Sequence, residues 1–516
     1  MSKFMTKEEA VALIKDNATI ALSGSGGIVM EAYTVLEALE KRFLTTGHPC
    51  NMTLVHASGI GNKKEAGITR FAHKGMVKRV VGGHWGWSPE MQEMAVSNEI
   101  EAYNFSQGAI CLLYREIAAH RPGLITKTGK YTFVDPRNGG GKLNEVTKED
   151  LVSLINIGGE EYLLYKAFPV DVTIIRGTAA DEDGNISMEQ EPAVLDTLDA
   201  VMAAHNSGGI VIVQVKYKAA KGSLNSKKVR IPGVYVDAVV VDPQQKQTQE
   251  GEFNPAFTND IILPVDAMEP LPLNHRKIVA RRAFMELHPG KVINLGFGMP
   301  DGVAAVAAEE GFSDKITMTV EQGLYGGVPA TGDIFGVVSN PVAMLDEAQQ
   351  FDFYQGGGLD MAFLGLAQAD PEGNVNVSKF GRTIAGSGGF IDITQSAKKV
   401  VFCGTFTSGG LRTEIAGGKL RILQEGRNRK FMSAVEHLTF STKFAQEYHQ
   451  EVVYVTERAV FKLQDGKLTL CEIAPGMDLE KDVLANMDFR PAIADQVKIM
   501  DARIFTDGRM NWVPQD

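Results

Sequence analysis

The sequence predicts an α/β protein in which two related open α/β domains are fused in one chain. The chain has 516 residues, which is too long for one hydrophobic core. Glycine is abundant, since 54 of the 516 residues are glycine, roughly one in ten against a usual share of about 7%. The glycines concentrate at predicted strand ends. A repeated pattern of strands and turns indicates that the two domains are related.

The repeat matches two segments of the chain in one ungapped register. Predicted strands begin at Asp171 and at Asp360, and an Asp-x-[Asp/Glu]-Gly-Asn turn follows each strand, from Asp181 and from Asp370. The same shift of 189 residues places the predicted strand 210–213 on 399–402. An ungapped match over this length indicates an internal duplication of an α/β unit.

The segments before these strands match as well. The predicted strand 19–22 ends in Gly24-Ser25-Gly26-Gly27. A helix predicted over 276–287 precedes the predicted strand 292–295, which ends in Gly296-Phe297-Gly298-Met299-Pro300. The two units repeat the order of helix, strand and glycine turn when Gly24 is laid on Gly296.

Three prolines interrupt residues 264–274, which show no hydrophobic periodicity. Such a stretch is typical of a linker. We therefore expect an N-terminal domain of residues 1–265 and a C-terminal domain of residues 275–516.

Composition and charge exclude several classes of function. The formal net charge is −11, which argues against nucleic acid or an anionic membrane as a partner. Cys50, Cys111, Cys403 and Cys471 lie far apart without a CxxC motif, so we expect neither a common zinc site nor a disulfide framework. The N-terminus lacks an apolar signal core, and no run of about 18 apolar residues occurs. These observations predict a soluble cytoplasmic protein.

Several nucleotide-binding and catalytic motifs are absent. The two glycine turns do not complete G-x-G-x-x-G, because Val29 and Asp301 stand in the place of the third glycine, and we reject NAD binding. No P-loop, H-E-x-x-H or G-x-S-x-G motif occurs, which argues against a metalloprotease or a serine hydrolase. His84 is interpreted as a packed loop histidine rather than a ligand.

Glu321 follows a predicted strand, Ile316 to Val320, and three glycines stand within the next six residues. The carboxyl end of a strand is where open α/β sheets bind ligands. A carboxylate there can act as a nucleophile, a base or a hydrogen-bond anchor. A solvated turn glutamate is equally compatible with this spacing.

Gln107 precedes an apolar helix predicted over 109–118. Backbone donors collect at a helix N-terminus, where the dipole favours negative charge. The residue is compatible with a helix cap and with a donor to a bound anion. A glycine loop, Gly386-Ser387-Gly388-Gly389, is compatible with a plain turn and with a ligand-binding backbone.

These motifs together resemble the family I coenzyme A transferases. Their residues are most similar to those of bacterial acetate and propionate CoA-transferases. Val320-Glu321-Gln322-Gly323 is similar to the Glu-x-Gly signature of that family, and the resemblance extends from Gly24 to Gly476. It implies the CoA-transferase, NagB/RpiA-like type of α/β domain. The chain departs from some members in being fused rather than divided into two subunits, and in having Gln322 after the glutamate.

The resemblance also implies roles for individual residues. Glu321 would be the nucleophile, the Gln107 amide would donate to the oxyanion, and the backbone N–H of Gly388 would complete the oxyanion hole. The remaining positions that we expect to bind CoA or the acid are Gly24, Gly26, Gly296, Phe297, Gly298, Met299, Pro300 and Gly323.

The implied activity is transfer of coenzyme A between a short-chain acyl-CoA and a free short-chain carboxylic acid such as acetate or propionate. CoA would be a substrate, with no metal and no permanently bound cofactor. The resemblance further implies a homo-oligomer, a tetramer in the family, which light scattering would test. An acyl-CoA thioesterase using the same glutamyl intermediate remains open, and a non-catalytic ligand sensor would not require the carboxylate.

Overall fold

A computed structural model describes residues 3–264 and 270–514. The chain forms two compact units. The first unit contains the described residues of Met1–Leu263 together with Glu321–Asp352 and Arg382–Asp392, and the second contains those of Pro264–Val320, Phe353–Gly381 and Ile393–Asp516. The domain ranges 1–265 and 275–516 stay a prediction, and residues 265–269 of the expected linker lie outside the described residues.

The α-helices of the described residues are α1 (Lys7–Ala12), α2 (Tyr33–Thr46), α3 (Pro89–Val96), α4 (Gln107–Ala118), α5 (Thr197–Asn206), α6 (His275–Phe284), α7 (Gly302–Glu309), α8 (Glu347–Phe353), α9 (Phe390–Ser396) and α10 (Thr442–Glu447).

The strands are β1 (Thr19–Leu22), β2 (Met52–His56), β3 (Val77–Gly82), β4 (Glu101–Asn104), β5 (Gly123–Thr126), β6 (Val152–Ile157), β7 (Glu160–Lys166), β8 (Val172–Ala180), β9 (Ile186–Ser187), β10 (Ile210–Lys218), β11 (Val229–Ile231), β12 (Ala238–Val241), β13 (Val292–Leu295), β14 (Thr317–Val320), β15 (Leu324–Tyr325), β16 (Val328–Pro329), β17 (Val338–Ser339), β18 (Ala343–Met344), β19 (Met361–Gly365), β20 (Gln368–Ala369), β21 (Val375–Asn376), β22 (Lys379–Phe380), β23 (Thr383–Ile384), β24 (Lys399–Cys403), β25 (Thr407–Ser408), β26 (Arg412–Ala416), β27 (Lys419–Gln424), β28 (Asn428–Arg429), β29 (Glu451–Val455), β30 (Ala459–Gln464), β31 (Lys467–Ile473) and β32 (Ala492–Ile499).

The first unit is organised around a parallel sheet. Its strands lie in the order β4-β3-β2-β1-β8-β10-β12, all parallel to their neighbours. Every residue of β8 is buried, which is typical of parallel strands covered on both faces. A separate antiparallel sheet contains β5, β7 and β6.

The second unit is also built on a parallel sheet. The strands β14-β13-β19-β24-β29 run in parallel, and β30 and β31 continue the sheet as antiparallel neighbours. Its core includes Ile278, Phe284, Ile293, Phe363 and Val401. Two units with open parallel sheets confirm the α/β fold of two related domains in one chain.

Strand registers confirm the internal duplication. In the first unit Val172 of β8 is paired with Ile210 of β10. In the second unit Met361 of β19 is paired with Lys399 of β24. Met361 lies 189 residues after Val172, and Lys399 lies 189 residues after Ile210. The sequence repeat therefore reproduces the pairing of neighbouring strands as well as their composition.

The turns after these strands are duplicated down to single hydrogen bonds. The Asp181 carboxylate accepts from the backbone N–H of Asn185 at 3.0 Å. The Asp370 carboxylate accepts from the backbone N–H of Asn374 at 2.9 Å. An Asx-type turn therefore closes the same hairpin in both units.

The alignment of Gly24 with Gly296 is wrong by one residue. Ile20 of β1 is paired with Val172, and Ile293 of β13 is paired with Met361. The registers therefore make Ile20 and Ile293 equivalent, which places Phe297 opposite Gly24. Glycine spacing does not fix register, because a turn can change length while the strands keep their pairing.

Two further expectations can be compared with the structure. The helix expected over 276–287 is α6, which ends earlier, at Phe284. Cys50, Cys111, Cys403 and Cys471 are free thiols, as expected. Within the described residues, no helix has the length and apolar character needed to span a membrane.

Candidate active site

Glu321 directly follows β14 and is only 8% exposed. The Gln322 amide lies beside it, with Nε2 donating to Glu321 Oε1 at 3.4 Å. Gln322 is itself buried and packs where Gly336 leaves room, since a Cβ at Gly336 would lie 2.9 Å from the Gln322 side chain. Burial of the glutamate excludes the interpretation as a solvated turn residue.

Gln107 is the first residue of α4 and is 3% exposed. Its Nε2 donates to Ser58 Oγ at 3.0 Å and to the Glu347 carboxylate. Both partners lie outside α4, so the side chain does not cap its own helix. An acceptor on each NH₂ hydrogen orients the amide plane.

Gly388 lies against the start of α4. Its carbonyl accepts from the Gln107 backbone N–H at 2.9 Å, and its own N–H donates to the Gly83 carbonyl at 2.8 Å. Gly388 has φ +50°, and a Cβ there would lie 3.7 Å from Gln107 Oε1. The structure therefore brings Gly388 and Gln107 together. The expected donation from the Gly388 N–H to an oxyanion stays a prediction. It requires the substrate to replace the Gly83 carbonyl as the acceptor of this N–H.

Asn104, at the end of β4, anchors the glycine loop. Its Nδ2 donates to the carbonyls of Gly82 at 2.8 Å and Gly83 at 2.6 Å, and its Oδ1 accepts from the Ser387 backbone N–H at 2.9 Å. One buried side chain thus ties the loop to the ends of two neighbouring strands, which limits its freedom to move.

Asp392 joins the same loop to α4. It is fully buried, and its carboxylate accepts from Ser106 Oγ at 3.1 Å and from the Gly108 backbone N–H at 3.0 Å. Burial raises the pKa of Asp392 to about 7, against the lowering effect of these two donors. A carboxylate at this end of α4 also interacts favourably with the helix dipole.

Glu347, at the start of α8, is a second fully buried acid near Gln107. Besides the Gln107 amide, it accepts from Ser58 Oγ at 3.3 Å and from Cys111 Sγ at 3.2 Å. Asp196 lies close by, since Cys111 Sγ and carboxylate oxygens of Asp196 and Glu347 are within 4.8 Å of one another. Burial, and then the charge of Asp196, raise the pKa of Glu347 well above its usual range.

The charge of Glu321 connects these acids. It contributes to raising the pKa of both Glu347 and Asp392, after burial in each case. Three carboxyl groups and the Gln107 amide therefore form one buried polar cluster in the first unit. Two buried acids with raised pKa values beside a third carboxyl group are typical of a catalytic site.

His84 lies in the loop after β3, as expected of a packed loop histidine. Its Nδ1 accepts from the Gly86 backbone N–H at 3.2 Å. Burial, followed by the charges of His56 and Lys63, lowers the pKa of His84 to about 4. The ring is therefore neutral at physiological pH and adds no positive charge to the carboxyl cluster.

Comparison with known proteins identifies the family. The coenzyme A transferase family model matches residues 4–242. The acetate CoA-transferase YdiF of Escherichia coli K12 is 48% identical over 99% of this chain and 96% of its own length. The chain belongs to the coenzyme A transferase family. A caffeate CoA-transferase of Acetobacterium woodii is also 48% identical, over 98% of both chains.

Solved structures agree with this membership. The apoenzyme of the acyl-CoA transferase YdiF from Escherichia coli O157:H7 superposes with a TM-score of 0.95, at 46% identity and over 99% of this chain and 98% of that one. A thioester complex of the same protein with CoA has a TM-score of 0.94, with the same identity and coverage. This protein is therefore a CoA-transferase with the α/β fold of that family.

The CoA-binding loop predicted for this transferase lies in the second unit, after β13. The backbone N–H of Gly296 donates to the Phe363 carbonyl at 2.8 Å. Phe297 is 53% exposed, and Gly298 has φ +89°, a conformation that favours glycine. Met299 is half-buried and Pro300 is buried. An exposed aromatic ring on a tight glycine turn is compatible with ligand contact, and the role stays a prediction.

The glycines expected to bind substrate in the first unit have packing reasons of their own. A Cβ on Gly26 would lie 2.1 Å from the Trp87 ring, and one on Gly323 would lie 2.1 Å from the Leu345 carbonyl oxygen. Gly24 is buried but sterically less constrained, with its nearest neighbour at 3.6 Å. Their expected contacts with substrate stay predictions.

Sequence reasoning missed Ser58, Asn104, Glu347 and the role of Asp392. No local motif marks any of these four residues. The one available signal was Glu347, a charged residue on the buried face of α8 beside Ala348 and Phe351. A charge on such a face requires polar partners, but the sequence does not show which.

Proposed function

We propose that this CoA-transferase exchanges coenzyme A between a short-chain acyl-CoA and a free short-chain carboxylic acid, through a thioester on Glu321. The buried cluster of Glu321, Gln107 and Gly388 supports this most strongly. It combines a carboxylate with nearby hydrogen-bond donors and loop backbone, the groups that acyl transfer through a covalent intermediate needs. We also expect the protein in the cytoplasm and as a homo-oligomer.

The chemistry runs in two half-reactions. The Glu321 carboxylate attacks the acyl-CoA carbonyl, and the tetrahedral intermediate expels CoA as a thiolate, which leaves a mixed acyl anhydride on Glu321. The thiolate attacks the glutamyl carbonyl, which forms a glutamyl-CoA thioester and releases the first acid as its carboxylate. A second carboxylate attacks this thioester, and the same two steps in reverse give a new acyl-CoA and free Glu321. The thioester bond energy is conserved throughout because water never takes part.

Each step passes through a tetrahedral oxyanion. The Gln107 amide donates to it, and the loop backbone around Gly388 donates from the other side. One preorganised donor of this kind typically contributes about 3–4 kcal/mol. The exposed Phe297 loop holds the CoA chain in this proposal, with Gly24, Gly26 and Gly323 shaping the substrate-binding loops.

There are two candidates for the acid substrate. Acetate is named for one relative and caffeate for the other, and both relatives are 48% identical to this chain. We favour a short-chain acid, because the Glu-x-Gly motif resembles that of short-chain acyl-CoA transferases. An aromatic acid is the second candidate. Exchange rates with acetate, propionate and caffeate as acceptors, measured from one acyl-CoA donor, decide between them.

A covalent adduct on Glu321 is the first testable prediction. Enzyme incubated with acyl-CoA and no acceptor acid should gain the mass of CoA, and borohydride should reduce the thioester at Glu321 and inactivate the enzyme. Glu321→Gln should abolish both the adduct and exchange, because an amide is a poor nucleophile. Glu321→Asp should lose about 100-fold or more in rate, because its carboxylate is one methylene short.

Glu65→Gln is the matched control, since Glu65 is exposed and lies outside the cluster, and it should form the adduct normally. A mass that never rises in wild type, together with exchange by Glu321→Gln, contradicts the proposed mechanism. Release of free thiol at the same rate with and without acetate would instead assign the protein as a thioesterase.

A further inference from the structure

Glu347 is a buried acid that the steps above do not use. Its carboxyl is fully buried and contacts three side chains, those of Gln107, Ser58 and Cys111. In the parts of the chain that the structure describes, no lysine, arginine or histidine forms an ion pair with it. A buried carboxylate without a positive partner is strongly disfavoured, so the neutral acid is the form that this environment stabilises.

Burial and the neighbouring acids raise the pKa of Glu347, against the lowering effect of the hydrogen bonds from Cys111 and Gln107. Cys111 faces it from α4, Asp196 from the turn before α5, and Glu321 from the end of β14. On its own segment, Asp346 is paired with Arg230 at 2.6 Å. His56, at the end of β2, is uncharged because burial lowers its pKa to about 4. Burial, together with the charges of Asp196 and Glu321, therefore favours the protonated form of Glu347.

We propose that Glu347 is a positioning residue for acyl transfer, a neutral carboxylic acid that holds the Gln107 amide in the orientation needed to donate to the oxyanion. Glu347 Oε1 accepts one N–H of Gln107 whether or not Oε2 bears the proton. Ser58 Oγ accepts the other N–H at 3.0 Å, and this is the bond that substrate can replace. The inference rests on the proposed function, because it assigns Gln107 its donor role.

Neutrality matters as much as the hydrogen bond. An ionised Glu347 would place a second negative charge beside Glu321 and beside the developing oxyanion, and in a buried site this repulsion is large. Raising the pH until Glu347 loses its proton should therefore lower the rate of transfer. The pH profile of the wild type should fall on its alkaline side for this reason.

The test compares Glu347→Gln and Glu347→Leu. Glutamine is neutral at every pH and its Oε1 can still accept from Gln107, so we expect about the wild-type kcat without the alkaline decrease. Leucine leaves the Gln107 N–H without its partner, and we expect kcat to fall about 10- to 100-fold with little change in KM. In a Gln107→Ala background Glu347→Leu should have almost no further effect, because coupled residues are not additive.

Asp199→Asn is the matched control. Asp199 is a buried acid on α5 whose pKa is raised to about 7 by burial and by the charge of Asp346, whereas the Gln107 amide donates to Ser58 and Glu347. It should leave the alkaline side of the profile unchanged. The inference is wrong if the reductions in kcat caused by Glu347→Leu and Gln107→Ala multiply in the double variant. It is also wrong if Glu347→Gln keeps the alkaline decrease of the wild-type pH profile.

Infrared spectroscopy gives a readout that does not depend on activity. The difference spectrum between wild type and Glu347→Gln at neutral pH should contain the carbonyl band of a protonated carboxylic acid. Its absence overturns the inference even if Glu347→Leu fails to fold. A wild type that forms no Glu321 adduct would contradict the proposed function instead, so the two failures are distinguishable.

Discussion

Replacing Asp392 with asparagine should change how the stability of this transferase depends on pH. Asp392 is fully buried, and its pKa is raised from 3.8 to about 7, chiefly by burial. Between these two values the folded protein binds a proton that the unfolded chain has lost. The free energy of unfolding should therefore decrease as the pH rises through this range and stay level above it.

The magnitude follows from the size of the shift. One pKa unit corresponds to about 1.4 kcal/mol, so a rise from 3.8 to about 7 corresponds to roughly 4 kcal/mol over the whole range. Asparagine keeps the shape of the side chain and an acceptor for the Gly108 N–H, but it cannot ionise. The variant should therefore lack this contribution and gain stability relative to wild type as the pH rises.

Thermal unfolding at a series of pH values between about 5 and 8 measures this difference, and the midpoint is the appropriate quantity because a chain with two units need not unfold in two states. Asp181→Asn is the control. Hydrogen bonds from Asn185 and neighbouring N–H groups hold the pKa of Asp181 below its usual value despite the opposing effect of burial, so its difference from wild type should be constant over this range. A difference for Asp392→Asn that is equally constant refutes the linkage argument.

Two further predictions concern Gln107 and Gly323. Gln107→Ala should reduce the rate of transfer by about 10²–10³ while the melting temperature changes little, and a near-wild-type rate would remove Gln107 from the oxyanion hole. Gly323→Ala should unfold at a clearly lower temperature than wild type, because the residue has φ +93° and its added Cβ would lie 2.1 Å from the Leu345 carbonyl oxygen. Gly290→Ala is the control: Gly290 has φ +75° but open space for a Cβ, so this variant has the backbone strain without the steric clash.

The repeat made the fold largely predictable from the sequence. Each copy preserves the spacing between strands, and this spacing determines which residues pair. The glycine turns were less informative, since they misplaced Gly24 by one residue. Turn length varies while the strand register does not, and this explains why one signal succeeded and the other failed.

The candidate site was predictable only where a motif survives in contiguous sequence. Glu321, Gln107 and the Gly388 loop each stand in such a motif. Glu347, Ser58 and the anchoring role of Asn104 come from separate segments, and only folding brings them to Gln107. A sequence records the identity of such residues but not their neighbours, because their hydrogen bonds join positions far apart in the chain.

The duplicated strands also assign a counterpart to Glu321, the proposed nucleophile. Thr19 of β1 is paired with Thr53 of β2, and the equivalent Val292 of β13 is paired with Thr317 of β14. Counting on from these pairs, Ala57-Ser58-Gly59 in the first copy corresponds to Glu321-Gln322-Gly323 in the second.

The two descendants of one ancestral strand end have thus specialised differently. One copy has Glu321, the proposed nucleophile, at this position. The other has Ala57 at that position, and its next residue, Ser58, accepts a hydrogen bond from the Gln107 amide. The duplicated framework therefore carries a glutamate at one of its two equivalent strand ends and not at both.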